Sequence, residues 1–411
     1  MQIFTISCLI TFLWLTFGYS LAFGPALYHP YAKSSAVYGN ASRFWLRGLH
    51  LMSYHQLAPT IPEAVYCAYQ LTFAIITPAL IVGSFADRMK YTPMIIFATA
   101  WHLAVYCPVA HSCWHPEGFL FRAGDLDFAG GNVVHISSGV SGLVSAIVLG
   151  KRKGFGTEPF EPHNIMFSVV GVCMLWVGWF GFNAGSAVGA NFRAAMALLV
   201  TQIATAVASL SWMAADWFLT GVPKLTAIGS GAIAGLVAIT PASGYVDPNG
   251  AFFIGLFAGP VCLGGAKLKH YLGYDDALDA FGVHAVGGLL GGILTGFFAI
   301  DQVAGPGVNG VFNANTHNGG HQLGIQIYAC VVVALWSGFM SYLILKVLDM
   351  TIGLRISADS EELGLDDSLH GEKVVQATLD DSSRPSANSS HHHVPISTDE
   401  KEMEIAKPIE P

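Results

Sequence analysis

The chain has 411 residues, 53% of them hydrophobic and only 11% charged, with a mean hydropathy of +0.52. A soluble domain carries roughly 25% charged residues, so this composition excludes a soluble globular protein and points to a polytopic membrane protein. The formal net charge of −8 offers no basic footprint, and no nucleic-acid partner is expected.

Apolar runs of about 17 to 25 residues read as membrane spans. Ten follow one another along the chain, at 3–24, 63–84, 92–112, 131–150, 165–185, 194–218, 226–242, 250–268, 280–299 and 323–348. The first lacks a basic leader and a clear small-residue cleavage site, so it reads as a retained span and not as a signal peptide. With a cytosolic N-terminus, the inward junctions hold Arg88, Lys90, Lys151, Arg152, Lys153, Lys224, Lys267, Lys269 and Arg355. The outer segments keep Lys33, Arg43, Arg47, Arg122 and Arg193. That asymmetry places both ends in the cytosol.

The fourth and ninth spans each carry a histidine in a related context, His135 in VVHISSGVSGL and His284 in GVHAVGGLLGG. Each histidine has a glycine four residues later (Gly139, Gly288), another seven residues later (Gly142, Gly291), and an aspartate eight residues before it (Asp127, Asp276). An ionisable residue inside a span is a functional hypothesis by default. Matching patterns on spans that run in opposite directions suggest an inverted repeat with its binding site near the midplane. The flanking small residues permit close helix approach. The plainer alternative is a pair of satisfied polar residues in helix packing; metal ligation lacks third and fourth candidates at helical spacing. Asp127, at the mouth of its span, reads first as a helix N-cap.

Seven scattered cysteines without CxxC spacing read as packing residues. Asn40-Ala41-Ser42 is a glycosylation acceptor in an outer loop. Residues 357–411 hold 13 acidic and 4 basic side chains, a net of −9. This is the composition of a cytosolic tail, disordered beyond about residue 373. The run His391 to His393 reads as a polar tract within it.

The stretch DFAGGNVVHISSGVSGLVSAIVLGKR, from Asp127 to Arg152, resembles the signature of the ammonium transporter (Amt/Mep/Rh) family, on its Amt/Mep branch. WFGFNAGSA at 179–187, AIAGLVAITPASGYV at 232–246, DALDAFGVHAVGG at 276–288 and GLRISADSEELGLDDSLHGE at 353–372 resemble the family in the same order. The resemblance implies an all-α polytopic membrane protein with two inverted five-helix repeats and a long final helix. It implies a transmembrane domain over 1–352, a family-like cytosolic segment over 353–372 and an acidic tail over 373–411. The family has eleven spans and an outside N-terminus, and FGYSLAFG at 17–24 resembles its second helix; ten spans are expected here, with the family's first helix missing.

For function, the resemblance implies ammonium transport across the plasma membrane, with no enzymatic activity, cofactor or metal. Trp114 and Ser186 match an outer recruitment site for NH4+, with Tyr69 and Trp179 expected in the same vestibule. Phe73 and Phe182 match a pair of rings that blocks the pore, His135 and His284 a histidine pair lining it, and Asp127 a carboxylate that supports the recruitment site. Membrane lipid is an expected partner, and a homotrimer is expected where the first helix is present. Two alternatives stay open: an ammonium sensor signalling through its tail, and an inactive shortened product.

Overall fold

A computed structural model of the chain describes residues 1–27, 36–160, 162–313 and 319–372. The acidic tail from 373, with its histidine run, lies outside the described residues. Among them no strand forms; only isolated bridges occur. Nine helices are long and apolar enough to cross a membrane: α1 (Gln2–Phe23), α2 (Glu63–Phe85), α3 (Tyr91–Trp114), α4 (Gly131–Leu149), α5 (Ile165–Gly185), α6 (Phe192–Thr220), α8 (Pro248–Leu272), α9 (Phe281–Phe298) and α10 (Gly319–Thr351). The tenth expected span is the shorter apolar helix α7, Leu225–Ile239. Its 15 residues reach about 22 Å, less than a hydrocarbon core of about 30 Å, and the sequence beyond it, 240–245, turns back as a non-helical segment.

Among the described residues three apolar clusters divide the bundle. One is built from α1 to α4 with α10, and two lie among α5 to α9. The histidine helices α4 and α9 form the seam between the first cluster and the other two. Their crossing is antiparallel, and the four motif glycines explain how close it is. A Cβ on Gly139 would lie 2.7 Å from the Ala285 Cβ, and one on Gly288 would lie 3.0 Å from the His135 Cβ. One turn further on, Gly142 faces Ser84 of α2 and Gly291 faces Ala238 of α7, again with no room for a side chain. The same glycine positions therefore make the same contacts in both halves. Where lipid offers no hydrophobic drive between helices, small residues of this kind let backbones pack.

Polar groups join neighbouring helices inside the first core. Trp101 Nε1 of α3 donates to Ser141 Oγ of α4 at 2.9 Å, and Ser341 Oγ of α10 sits 2.8 Å from the same hydroxyl. Both histidines lie in wide π-type turns, Gly131–Ile136 in α4 and Phe281–Ala285 in α9. Such turns disturb the regular ladder and concentrate at functional sites. In α4 the Ser137 and Ser138 hydroxyls donate back to the Val133 and Val134 carbonyls at 2.6 and 2.5 Å, so these two hydroxyls are satisfied within the helix.

The basic junctions gather on one face. Arg88 is fully buried there, donating through Nε to the Gly150 carbonyl at 2.9 Å, and also to the carbonyls of Ser84 and Asp275. Burial pulls its pKa down to about 10, which leaves it protonated at neutral pH. Arg152 grips the Asp275 carboxylate through two nitrogens at 2.8 Å each. The segment after α10 closes over this face. The Lys90 N–H donates to the Leu354 carbonyl, the Ile356 N–H to the Arg88 carbonyl, and Arg355 pairs with Glu361 at 2.8 Å.

Candidate functional site

Each histidine helix begins one turn before its histidine, about 6 Å away along the axis, so its first amides are deep in the protein and need partners. The aspartates supply them. Asp127 accepts from the backbone N–H groups of Gly130, Gly131, Asn132 and Val133 at 2.5–3.1 Å. Asp276 accepts from Ala280 and Phe281 at 3.1 and 2.8 Å. The capping role read from sequence is the one these contacts display. The Asp127 carbonyl also accepts from Trp114 Nε1 at 2.8 Å, so one residue both ends α4 and fixes the indole. Asp125, two residues earlier, accepts from the Asn132 side chain at 2.9 Å; burial and the Asp127 charge push its pKa well above the usual carboxylate range.

A cavity of about 120 Å³ opens beside Trp114, lined also by Tyr66, Gln70, Phe73, Phe128 and Ser186, with no charged side chain among its lining residues. Beneath it the Phe73 and Phe182 rings meet at 4.5 Å between centroids, tilted by 56°. Phe182 then stacks on Trp179 at 4.7 Å, and Trp179 lies parallel to the His135 ring at 5.5 Å. His135 and His284 follow, their Nδ1 atoms 3.3 Å apart and their rings tilted by 21°. Both are buried, and among the described residues His135 Nε2 has no hydrogen-bond partner. The site residues thus fall in one sequence: indole and hydroxyl, two phenyl rings, a second indole, two imidazoles.

Two expected positions differ. Tyr69 does not line the cavity; its hydroxyl donates to the Phe182 carbonyl at 2.6 Å and lies 2.9 Å from Ser186 Oγ, so it stands behind the serine. Trp179 lies a layer below the phenylalanine pair, beside His135, with its Nε1 donating to Thr240 Oγ1 at 2.9 Å. Conversely, Tyr66 and Gln70 line the cavity without having been singled out from sequence. Helical spacing puts Tyr66, Gln70 and Phe73, four and three residues apart, on one face, but it fits Tyr69 equally well, three after Tyr66 and four before Phe73, so spacing alone does not choose between Tyr69 and Gln70. Phe128 reaches the cavity from a loop, where no periodicity predicts it. Among the described residues no group of three or more histidine, cysteine, aspartate or glutamate side chains is placed to hold a metal ion.

Known proteins resemble this chain over most of its length. The family model described as Ammonium Transporter Family matches residues 1–375. An ammonium transporter of Bacillus subtilis is 40% identical over 380 residues, covering 92% of this chain and 90% of its own. One from Aquifex aeolicus is 44% identical over 375 residues, covering 90% and 83%. Among solved structures, that of Saccharomyces cerevisiae Mep2 is similar with a TM-score of 0.78 at 34% identity, over 87% of this chain and 79% of that one.

Proposed function

The chain belongs to the ammonium transporter family, and on that premise we propose that it carries ammonium across the plasma membrane, recruiting NH4+ at its outer cavity and passing NH3 along the histidine pair. The face that gathers Arg88, Arg152 and the segment after α10 is then the cytosolic one. The Trp114 face attracts a desolvated cation by about 2 kcal/mol. The Ser186 hydroxyl donates to the Phe182 carbonyl at 2.9 Å and lies 2.9 Å from the Tyr69 hydroxyl, so one lone pair is left to accept from an ammonium N–H, a charge-assisted bond of about 1.5–3 kcal/mol. Tyr69 holds that serine from behind.

The touching Phe73 and Phe182 rings leave no path for a hydrated ion, so passage needs them to part around a small solute. An unpaired charge below them is very costly, which favours loss of the proton and entry of the neutral amine. The observation that carries the proposal is the Nδ1 to Nδ1 contact at 3.3 Å. One ring must donate there and the other accept. One imidazole therefore offers a bare Nε2 and the other an Nε2–H, so ammonia can donate to the first and accept from the second. Exchange of the two tautomers would relay a proton along the pair.

The test is growth of a transport-deficient strain on low ammonium together with uptake of labelled methylammonium. Growth and saturable uptake, both lost in Ser186→Ala with His135→Ala, are the expected results; a chain that reaches the membrane and does neither refutes the proposal. A homotrimer would cover α5, whose outward residues Met166, Phe167, Met174 and Val177 are exposed; light scattering of the purified protein measures the assembly.

A second reading, a sensor signalling through the cytosolic end, draws on the contacts of the segment after α10. Lys153 pairs with Glu362 at 2.6 Å, and its N–H donates to Glu361 at 2.8 Å. Deleting residues 373–411 separates the two readings: unchanged uptake with lost signalling favours the sensor.

A further inference from the structure

The outer cavity holds a polar group that the transport reading leaves unused. Gln70 of α2 lines it together with Tyr66 and Phe73 and is 8% exposed. Among the described residues its Oε1 has no hydrogen-bond partner. The amide is within hydrogen-bonding reach of the Tyr66 hydroxyl, and with Oε1 unpartnered that contact falls to Nε2. Tyr66 is itself fixed, its ring stacked on His55 at 4.6 Å and met edge-on by Phe23 at 5.5 Å. The amide is thus oriented by its neighbours, and an acceptor oxygen is held in the wall without a donor. A buried acceptor left unmet costs the fold stability, and native structures keep such groups where function uses them. The other polar atoms of the lining are engaged: Trp114 Nε1 donates to the Asp127 carbonyl, and the Ser186 hydroxyl is bonded to Phe182 and Tyr69.

We propose that Gln70 sets the cation specificity of this cavity: its Oε1 accepts one ammonium N–H while Ser186 accepts another, so the two oxygens recognise the cation by the direction of its donors as well as by its charge. The inference rests on the transport reading above and assigns the residue that selects an ammonium-type cation over a bare metal ion of the same charge. Potassium has no donors to direct and needs a cage of oxygens in place of its water. Most of this wall is ring and aliphatic carbon, from Trp114, Phe73, Phe128, Leu57 and Val188. An amide suits the position better than a carboxylate. It accepts the hydrogen bond yet leaves the lining uncharged, so the cation is not held against release, and conduction needs binding weak enough to leave.

The experiment uses the full chain in the transport-deficient strain, with labelled methylammonium as the transported probe and ammonium and potassium chlorides as competitors. Gln70→Met keeps the length of the side chain and removes the amide oxygen. It is expected to raise the half-saturating methylammonium concentration, and the ammonium concentration that halves uptake, each roughly tenfold. Gln70→Glu keeps an acceptor, returns both concentrations to the wild-type range or below, and turns potassium into a competitor. Half-saturating concentrations do not depend on how much protein reaches the membrane, so poor folding of a variant lowers the maximal rate without imitating this result. Tyr66→Phe, which releases the amide, should give a smaller shift in the same direction. An unchanged half-saturating concentration in Gln70→Met, even with a reduced maximal rate, overturns the proposal and marks Gln70 as a packing residue; so does a Gln70→Glu chain that behaves like Gln70→Met. In either case wild-type uptake leaves the transport reading intact. If the wild-type chain takes up no methylammonium, the transport reading fails and the role of Gln70 falls with it.

Discussion

The two histidine helices share a plan and differ in their surroundings. In α4 and α9 alike, an aspartate caps the first turn, a wide turn carries the histidine, and glycines four and seven residues later receive the neighbouring helices. Yet Asp127 holds four amides where Asp276 holds two. His135 stacks on Trp179 and Phe182, whereas His284 has only His135 as a ring neighbour among the described residues. The α4 end opens on an uncharged aromatic cavity and the α9 end on one with carboxylates and lysines. A repeated backbone plan thus carries two different polar environments.

The sharpest way to break that comparison is at the histidines. His135→Gln is expected to lower maximal methylammonium flux roughly 100-fold, and His284→Gln by less, because only the former also loosens the stack with Trp179 and Phe182; uptake rates at saturating substrate decide this. If the repeat is as symmetric in packing as it is in pattern, Gly139→Val and Gly288→Val should destabilise equally, by about 1–3 kcal/mol each. Unequal thermal unfolding of the detergent-purified variants would show that the two halves share geometry without sharing energetics. The caps sharpen the asymmetry: Asp127→Ala should cost about 2 kcal/mol and Asp276→Ala about 1 kcal/mol, read as the difference in melting temperature.

The smallest effect is expected at the basic face. Burial alone would raise the Asp275 carboxyl, but the paired hydrogen bonds from Arg152 outweigh it and hold the group below its ordinary value. A carboxylate depressed in the folded state stabilises above the unfolded value of about 3.9 and loses that contribution as pH falls through the lower folded value. Wild type and Arg152→Gln should therefore differ in stability at neutral pH and converge below about pH 4, as followed by thermal melts across pH.

Much of this was legible in the chain because membrane solvent simplifies the code. Ten apolar runs became ten helices since a segment in lipid must satisfy its own backbone, and only α7 came out shorter than a full span. His135 and His284 stood out because a titratable ring in an apolar run is costly. Asp127 was readable as a cap because the spacing to the first turn is local. What local pattern could not supply was which side of α2 faces the cavity. Tyr69 and Gln70 are adjacent, and the rotation of the helix by packing alone put Gln70 in the lining and Tyr69 behind Ser186.

The sequence by itself determined the class, the spans, the paired histidine motifs and the glycines beside them, because these depend on composition and on spacing along one helix. Tertiary structure decided that the two histidines touch through Nδ1, that Trp179 lies below the phenylalanine pair and not above it, and that Gln70 faces the outer cavity. Those facts depend on how helices far apart in the chain rotate against one another. That rotation is set by side-chain volume at crossings such as Gly139 against Ala285, which no single segment encodes.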